Sequence, residues 1–420
     1  MNEKNTQNVI PNVNSKKKEE RNVPDLRYKE FSDEWIISNI SNEFTLLTNN
    51  SLSRDDLNYD CGCRKNIHYG DILTKYTTVK NITDNDIPYI NDNIKISNSS
   101  IKLISGDIIV ADTAEDYTVG KAIEIYDLNS LEVYGGLHTI PLRPKHKFAV
   151  GYLAYYFNSY NHKKRIFPLI QGIKVYSISK SALSSSIIKF PTLEEQNKIA
   201  QILIKIDARI STQKKIIEDL IELKKGIINS TFNKYKYYKK IKLSMVLKER
   251  KKYAIKESNI IHATLSKEGI FPKTDRYNRD FLVKDEEKNY KISLLNDICY
   301  NPANLKFGVI TRNKFGKCII SPIYITYEVD DKFLPDFVEL YVCQNSFINY
   351  IRKYERGTVY ERMAVNSEDF LKGEIPFLSY EIQSLLVNKI KLIEEKIQNE
   401  KSILQLYIKE KEYFLNSLFI

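Results

Sequence analysis

The stretch from Gln196 to Phe232 reads QNKIAQILIKIDARISTQKKIIEDLIELKKGIINSTF, and the chain writes a second version of it from Gln383 to Phe419, QSLLVNKIKLIEEKIQNEKSILQLYIKEKEYFLNSLF. An offset of 187 residues superposes the two without a gap. Both close on Asn-Ser-x-Phe: Asn229, Ser230 and Phe232, then Asn416, Ser417 and Phe419. Self-similarity over such a length decides the architecture before any single residue does. In the first copy the apolar positions are Ile199, Leu203, Ile206, Ile210, Ile217, Leu220 and Ile227. In the second they are Leu386, Ile390, Ile393, Ile397, Leu404, Tyr407 and Phe414. With Gln213 and Lys224 filling the first series, and Glu400 and Lys411 the second, the steps alternate four and three. That is the heptad seam of a helix lying along another helix. Unrelated amphipathic helices are common, but they do not share an offset, their polar breaks and an ending.

The repeat extends upstream. Gly172 precedes Pro191 by 19 residues, and Gly357 precedes Pro376 by 19. Before each glycine lies an aromatic, helix-like stretch with a basic end, reaching Arg165 in one half and Arg356 in the other. Earlier still, SGDIIVAD (Ser105 to Asp112) matches LLNDICYN (Leu294 to Asn301), and each is followed by a glycine and another β-rich run, GKAIEIY at Gly120 and GVITR at Gly308. Short runs rich in Ile, Val and Tyr read as strands. The expected fold class is α+β: two mixed α/β domains separated by two long antiparallel coiled-coil helices, as a pseudo-twofold internal repeat. The expected boundaries are a disordered tail over 1–22, a first domain over 23–190 and a first long helix over 191–232. A basic linker and second domain follow over 233–375, then a second long helix over 376–420. The linker Asn233 to Lys252 holds nine Lys or Arg against one Glu.

A pseudo-twofold axis predicts that the helices run antiparallel with the seam midpoints facing, Gln213 opposite Glu400. A single polar layer in an apolar seam costs stability but fixes register and orientation. A helix of about 40 residues is about 60 Å long, enough to hold the two domains well apart.

Composition agrees with a polyanionic partner. Lys and Arg number 64 against 53 Asp and Glu, a formal net charge of +11. Many proteins are basic, so charge alone decides little. The five cysteines do not make a disulfide framework in a chain this long. Residues 1 to 21 lack the apolar core of a signal peptide, and no run is long and apolar enough to span a bilayer. The expected compartment is a reducing cytoplasm.

Catalytic machinery is not evident in the sequence. Tyr300-Asn301-Pro302 is similar to the Asn-Pro-Pro-aromatic loop of adenine methyltransferases, but Ala303 and Asn304 break it. It reads as a strand end and turn. There is no phosphate loop. Cys61-Gly62-Cys63 with His68 lacks a fourth zinc ligand at workable spacing. Pro24-Asp25 and Pro335-Asp336 read as turns or helix starts. No catalytic residue, metal site or cofactor is therefore expected in this chain. Binding chemistry remains. Lys163, Lys164 and Arg165, and Arg352, Lys353 and Arg356, occupy equivalent places before the two glycines. Most charge runs are solvated helix faces; recurrence in both halves favours contacts to DNA phosphates. Lys174 and Tyr176, and Tyr360 and Arg362, follow the glycines and are candidates to reach base edges.

VPDLRYKEFSDEW (Val23 to Trp35), IHYGDI (Ile67 to Ile72) and above all PTLEEQNKIAQILIKIDARI (Pro191 to Ile210) resemble segments of the specificity subunits of type I restriction–modification enzymes. The resemblance covers the chain after residue 22. It departs at the second helix start, where Pro376 leads into FLSYEIQSLL, two residues longer and without the Glu194-Glu195 pair. It implies two target-recognition domains, each reading half of a bipartite double-stranded DNA sequence, in a bacterial defence system. It also implies two adenine-N6 methyltransferase subunits and two translocase–endonuclease subunits as partners. The competing readings are a non-catalytic coiled-coil scaffold with incidental charge, and a self-sufficient nuclease or methyltransferase, which the missing motifs oppose.

Overall fold

The computed structural model describes residues 22–128, 131–254, 260–273, 289–357 and 363–420. The chain divides into unit 1, residues 1–214 with 402–420, and unit 2, residues 215–401. The first long helix, Leu193–Lys234, and the second, Tyr380–Ser417, each contribute to both.

In unit 1 a five-stranded sheet runs in the order Phe44–Leu46, Thr139–Pro144, Ile108–Ala111, Ala122–Tyr126 and Val79–Asn81. A four-stranded sheet of Glu132–Gly135, Arg64–Ile67, Tyr89–Ile90 and Leu57–Asn58 lies in the same unit. Two short helices follow, Tyr152–Asn158 and Tyr160–Ile166. All the side chains of Tyr152 to Phe157 are buried, so the first of these helices is a core element on every face. Strand Ile187–Phe190 then pairs antiparallel with Ile36–Asn39 and leads to the first long helix.

Unit 2 repeats this plan. Its sheet runs Leu247–Glu249, Ile325–Val329, Ile298–Tyr300, Ile310–Arg312, the first four strands of the unit 1 order. Helices Pro335–Val342 and Asn345–Ile351 follow. Strand Glu374–Pro376 pairs antiparallel with Lys240–Lys242 before the second long helix. A second sheet joins Tyr253–Ala254, Tyr290–Ser293, Cys318–Ile320, Ile261–Leu265 and Ile270–Pro272. Asn301, at the broken methyltransferase-like motif, caps the 3-10 helix Pro302–Phe307 by accepting the Ala303 N–H. Pro335 opens a helix, where its missing N–H costs nothing.

Within each unit the long helices run antiparallel. In unit 1 the core holds Ile199 and Leu203 from one with Leu418 and Phe419 from the end of the other. Further along, Lys411 pairs with Asp207 at 2.6 Å and the Arg209 guanidinium lies 5.9 Å from the Tyr407 ring. In unit 2, Phe232, Leu386 and Ile390 share a core, and Lys224 reaches Glu394 at 2.5 Å. Every seam residue is buried or partly buried. Gln213, in unit 1, and Glu400, in unit 2, are both buried, so neither simply points to water. The first helix starts at Leu193, not Pro191, and the second at Tyr380, not Pro376. Among the described residues no helix is long and apolar enough to cross a membrane, and no cluster of His, Cys, Asp or Glu is arranged to hold a metal ion.

Candidate nucleic-acid interface

In each unit a two-bond backbone bridge follows the short-helix pair. In unit 1, Gln171 and Ser177 exchange both backbone N–H···O bonds, at 2.9 and 2.8 Å. The five residues between them turn back at once. Gly172 has φ +117°, and a Cβ there would lie 1.8 Å from the Val175 carbonyl oxygen, so only glycine closes this turn. Strand Tyr176–Ser177 pairs with Thr113–Ala114, which roots the hairpin in the sheet region. The Tyr176 ring lies 4.9 Å from Tyr117, and Tyr117 lies 5.6 Å from Phe167. A hydrogen bond to Tyr117 raises the Tyr176 hydroxyl above its usual range. In unit 2 the equivalent bridge joins Arg356 and Ala364, again through both N–H···O bonds, and Gly357 has φ +140°.

The basic residues before the glycines differ in freedom. Lys164 is exposed; Lys163 is half-buried, and burial pulls its pKa down. Arg165 is engaged inside unit 1. Its guanidinium donates to the Tyr156 hydroxyl at 2.7 Å and to the Ile420 carbonyl at 2.9 Å. Tyr156 in turn accepts the Lys189 N–H. His162, between them in sequence, is wholly buried, and burial pushes its pKa down to about 3, so it adds no charge. In unit 2, Arg352 pairs with Glu355 at 2.9 Å, Arg356 pairs with Asp369 at 2.7 Å, and Lys353 sits 3.8 Å from the Tyr350 ring centre. Ion pairs on an exposed arginine exchange readily for phosphate contacts, whereas Arg165 would have to leave buried partners. Lys174 is exposed on the hairpin and Tyr176 is at its base. Tyr360 and Arg362 lie outside the described residues.

The fold thus puts Lys174 and Tyr176 on one hairpin and Lys163 and Lys164 on the helix that leads into it, and turns Arg165 inward. Sequence reasoning passed over Ile173, 92% exposed on the hairpin with Val175, and over Tyr117 and Phe167, exposed rings in a row with Tyr176 at its base. No local signal marks it: the alternation Ile173-Lys174-Val175 is that of a half-buried strand. The family-like segments also meet. Arg27 of the N-terminal stretch forks onto the buried Glu195 carboxylate at 2.8 and 2.7 Å, which ties VPDLRYKEFSDEW to the helix start PTLEEQ.

Residues 64–222 match the model of a family described as the type I restriction modification DNA specificity domain. A putative type I restriction enzyme specificity subunit of Methanocaldococcus jannaschii is 27% identical over 238 residues, 54% of this chain and 53% of that protein. The match therefore spans about half the length of this curated relative. The crystal structure of a type I restriction–modification S subunit from M. genitalium superposes with a TM-score of 0.52 at 13% identity, covering 95% of this chain and 99% of that one. A chain from a structure addressing complex assembly and conformational transition of the type I system gives 0.53 at 11% identity, covering 93% and 99%. Residues 64–222 are thus similar to the type I restriction modification DNA specificity domain, on a chain whose fold resembles that of type I S subunits.

Proposed function

We propose that this chain is the DNA-specificity subunit of a type I restriction–modification enzyme, acting in the cytoplasm on double-stranded DNA. Each unit reads one half of a bipartite target. The chain performs no chemistry of its own: two adenine-N6 methyltransferase subunits and the translocase–endonuclease subunits supply it. The observation that carries this reading is the duplication itself. The same order of four strands, the same helix pair and the same two-bond bridge beside a positive-φ glycine occur in both units, and the family match falls on the first. One small reader distinguishes too few base pairs for a genome; two joined readers multiply their selectivity. Lys164 and Lys174 would hold phosphates and fix register, while the hairpin and its neighbours face the bases.

Methylation mapping tests it. The purified chain alone should transfer no methyl group and cut no DNA. With its methyltransferase partner it should direct adenine-N6 methylation to a split site. Exchanging residues 23–190 for those of a relative should change one half-site and leave the other. Methyl transfer by the chain alone, or change in both half-sites, would refute the reading. A scaffold with incidental charge would give no sequence-selective methylation at all.

A further inference from the structure

We propose that the tip of the unit 1 hairpin is an apolar wedge that enters the duplex at a base step: Ile173 and Val175 open the step, and Lys174 holds the adjoining phosphate. This rests on the DNA-reading function above and assigns part of it to residues that carry no hydrogen-bonding readout.

The tip is apolar, exposed and rigid at once. Ile173 is 92% exposed and Val175 52%, and the exposed rings of Tyr117 and Phe167 line up from Tyr176 at the hairpin's base. Isolated exposed hydrophobics are ordinary, but two at one tip above a row of exposed rings mark a contact surface. The tip does not need ordering on binding. Gly172 closes the turn, the Gln171–Ser177 bridge clamps its base, Ile178 donates to the Asp112 carbonyl at 2.9 Å, and Tyr176 packs on Tyr117.

Shape and charge select the occupant. A five-residue projection fits into a groove and not onto a flat protein face. Lys174 is exposed on the tip itself and Lys164 on the helix that leads into the hairpin, as phosphate-facing charges should be. Two acids lie on the facing segment: Glu115 is exposed next to the Ala114–Tyr176 pair, and Asp116 is folded into its own turn by the Thr118 N–H at 2.9 Å and the Thr118 hydroxyl and faces Lys163. Apolar side chains inserted between bases unstack the step and bend the duplex, and flexible pyrimidine–purine steps yield most cheaply. The wedge therefore predicts such a step in the half-site that unit 1 reads.

The test uses the full-length chain. A pool of short duplexes with randomised centres is selected on it, and 2-aminopurine is then placed at each step of the enriched duplex in turn. Fluorescence should rise several-fold at one step on binding. The double variant Ile173→Ser, Val175→Ser should abolish that rise and weaken binding to the enriched duplex about tenfold, with random-duplex binding unchanged. Lys174→Ala should keep the rise but lower the salt slope by about one. These residues are solvent-exposed, so melting temperatures should match the wild type. A rise that persists in the double variant, or an enriched duplex with no unstacked step, overturns the wedge and leaves the DNA-reading function standing. A changed mass of the double variant by light scattering, with DNA signals intact, makes the tip a contact between copies and also overturns the wedge. Failure of the wild type to enrich any duplex strikes down the DNA-reading function itself.

Discussion

Unit 1 and unit 2 solve one structural problem with opposite charges. The strand pairings Ile108↔Glu124 and Ile298↔Arg312 place Glu124 and Arg312 at the same point of the two sheets. Each ties its strand to the start of the first short helix. Glu124 accepts the Gly151 N–H at 2.8 Å, at the bare N-terminal end of Tyr152–Asn158. Arg312 instead reaches Asp336 at 2.8 Å and Glu339 at 3.3 Å, both in the early turns of Pro335–Val342. A helix start carries unpaired N–H groups and partial positive charge. Where the helix brings no acid, the strand supplies one. Where the helix brings two, the strand must supply a cation. The repeat keeps the electrostatic balance of the joint and not the residues that make it.

Elsewhere the units use identical parts. Gln196 accepts from Ala149 N and donates to the Pro191 carbonyl, at 3.1 and 2.9 Å; Gln383 does the same with Leu334 N and the Leu378 carbonyl, at 2.9 and 3.0 Å. Asp107 and Asp297 each accept a backbone N–H three residues earlier and a two-pronged arginine. The arginine comes from different strands: Arg143 in one, Arg250 after another in the other. The salt-bridged Glu195 becomes Ile382 in unit 2, which accounts for the departure at the second helix start.

Breaking the inverted pair directly should give the largest effect. Arg312→Ala leaves Asp336 and Glu339 partly buried with one cation fewer, and Lys391 and Lys314 only partly compensate. Removing one partner of such a network costs about 3–5 kcal/mol. Hydrogen exchange should show lost protection in unit 2 strands, with Ile108–Ala111 unchanged. Equal loss in both units would mean the joint is not local.

Glu124 sharpens the comparison through pH. Burial pushes its pKa up to about 7, from 4.5. Between those values the folded state keeps a proton that the unfolded chain releases. Its contribution is therefore full below pH ~4.5 and is lost as pH rises through about 7, a change of about 3 kcal/mol. Glu124→Gln should flatten that part of the unit 1 profile, while unit 2 shows no equivalent slope from Arg312. A slope that survives Glu124→Gln assigns the titration elsewhere.

The identical glutamines should respond alike. Gln196→Leu and Gln383→Leu each strand a buried N–H and a carbonyl, costing about 2 kcal/mol in their own unit. Denaturant midpoints that differ by more than twofold in energy would show that the two helix starts are not equivalent.

What the sequence made legible follows from range. The long helices stand out because their period is local and repeated; their starts shifted because Pro191 and Thr192, and Phe377 to Ser379, link a strand to the helix without being helical themselves, which no periodicity reports. The strands Ile108–Ala111 and Ile298–Tyr300 fall inside the windows read for them. Sheet order and the Asp–Arg partners did not, since they depend on pairings tens of residues apart. Arg165 was read as a free cation because its acceptor, Ile420, is 255 residues away. The hairpin tip was hidden for the opposite reason: Ile173 and Val175 look like core, and only coordinates show them in water.

The smallest expected effect concerns the feature both helices share. Gln213 and Glu400 occupy equivalent seam positions and both are buried. Buried polar residues at such positions lower stability and restrict which partners and registers a helix accepts. Replacing both by Leu should therefore stabilise the chain, by about 1 kcal/mol, or roughly 2–4 °C in melting temperature by calorimetry. The gain should carry a loss of discrimination, seen as self-association by light scattering at concentrations where the wild type does not associate. A melting temperature that falls would mean the polar pair is a net stabiliser in its surroundings. A rise without self-association would leave the seam's apolar residues alone responsible for orientation. Either result separates what the repeat contributes to holding the helices from what it contributes to choosing how they are held.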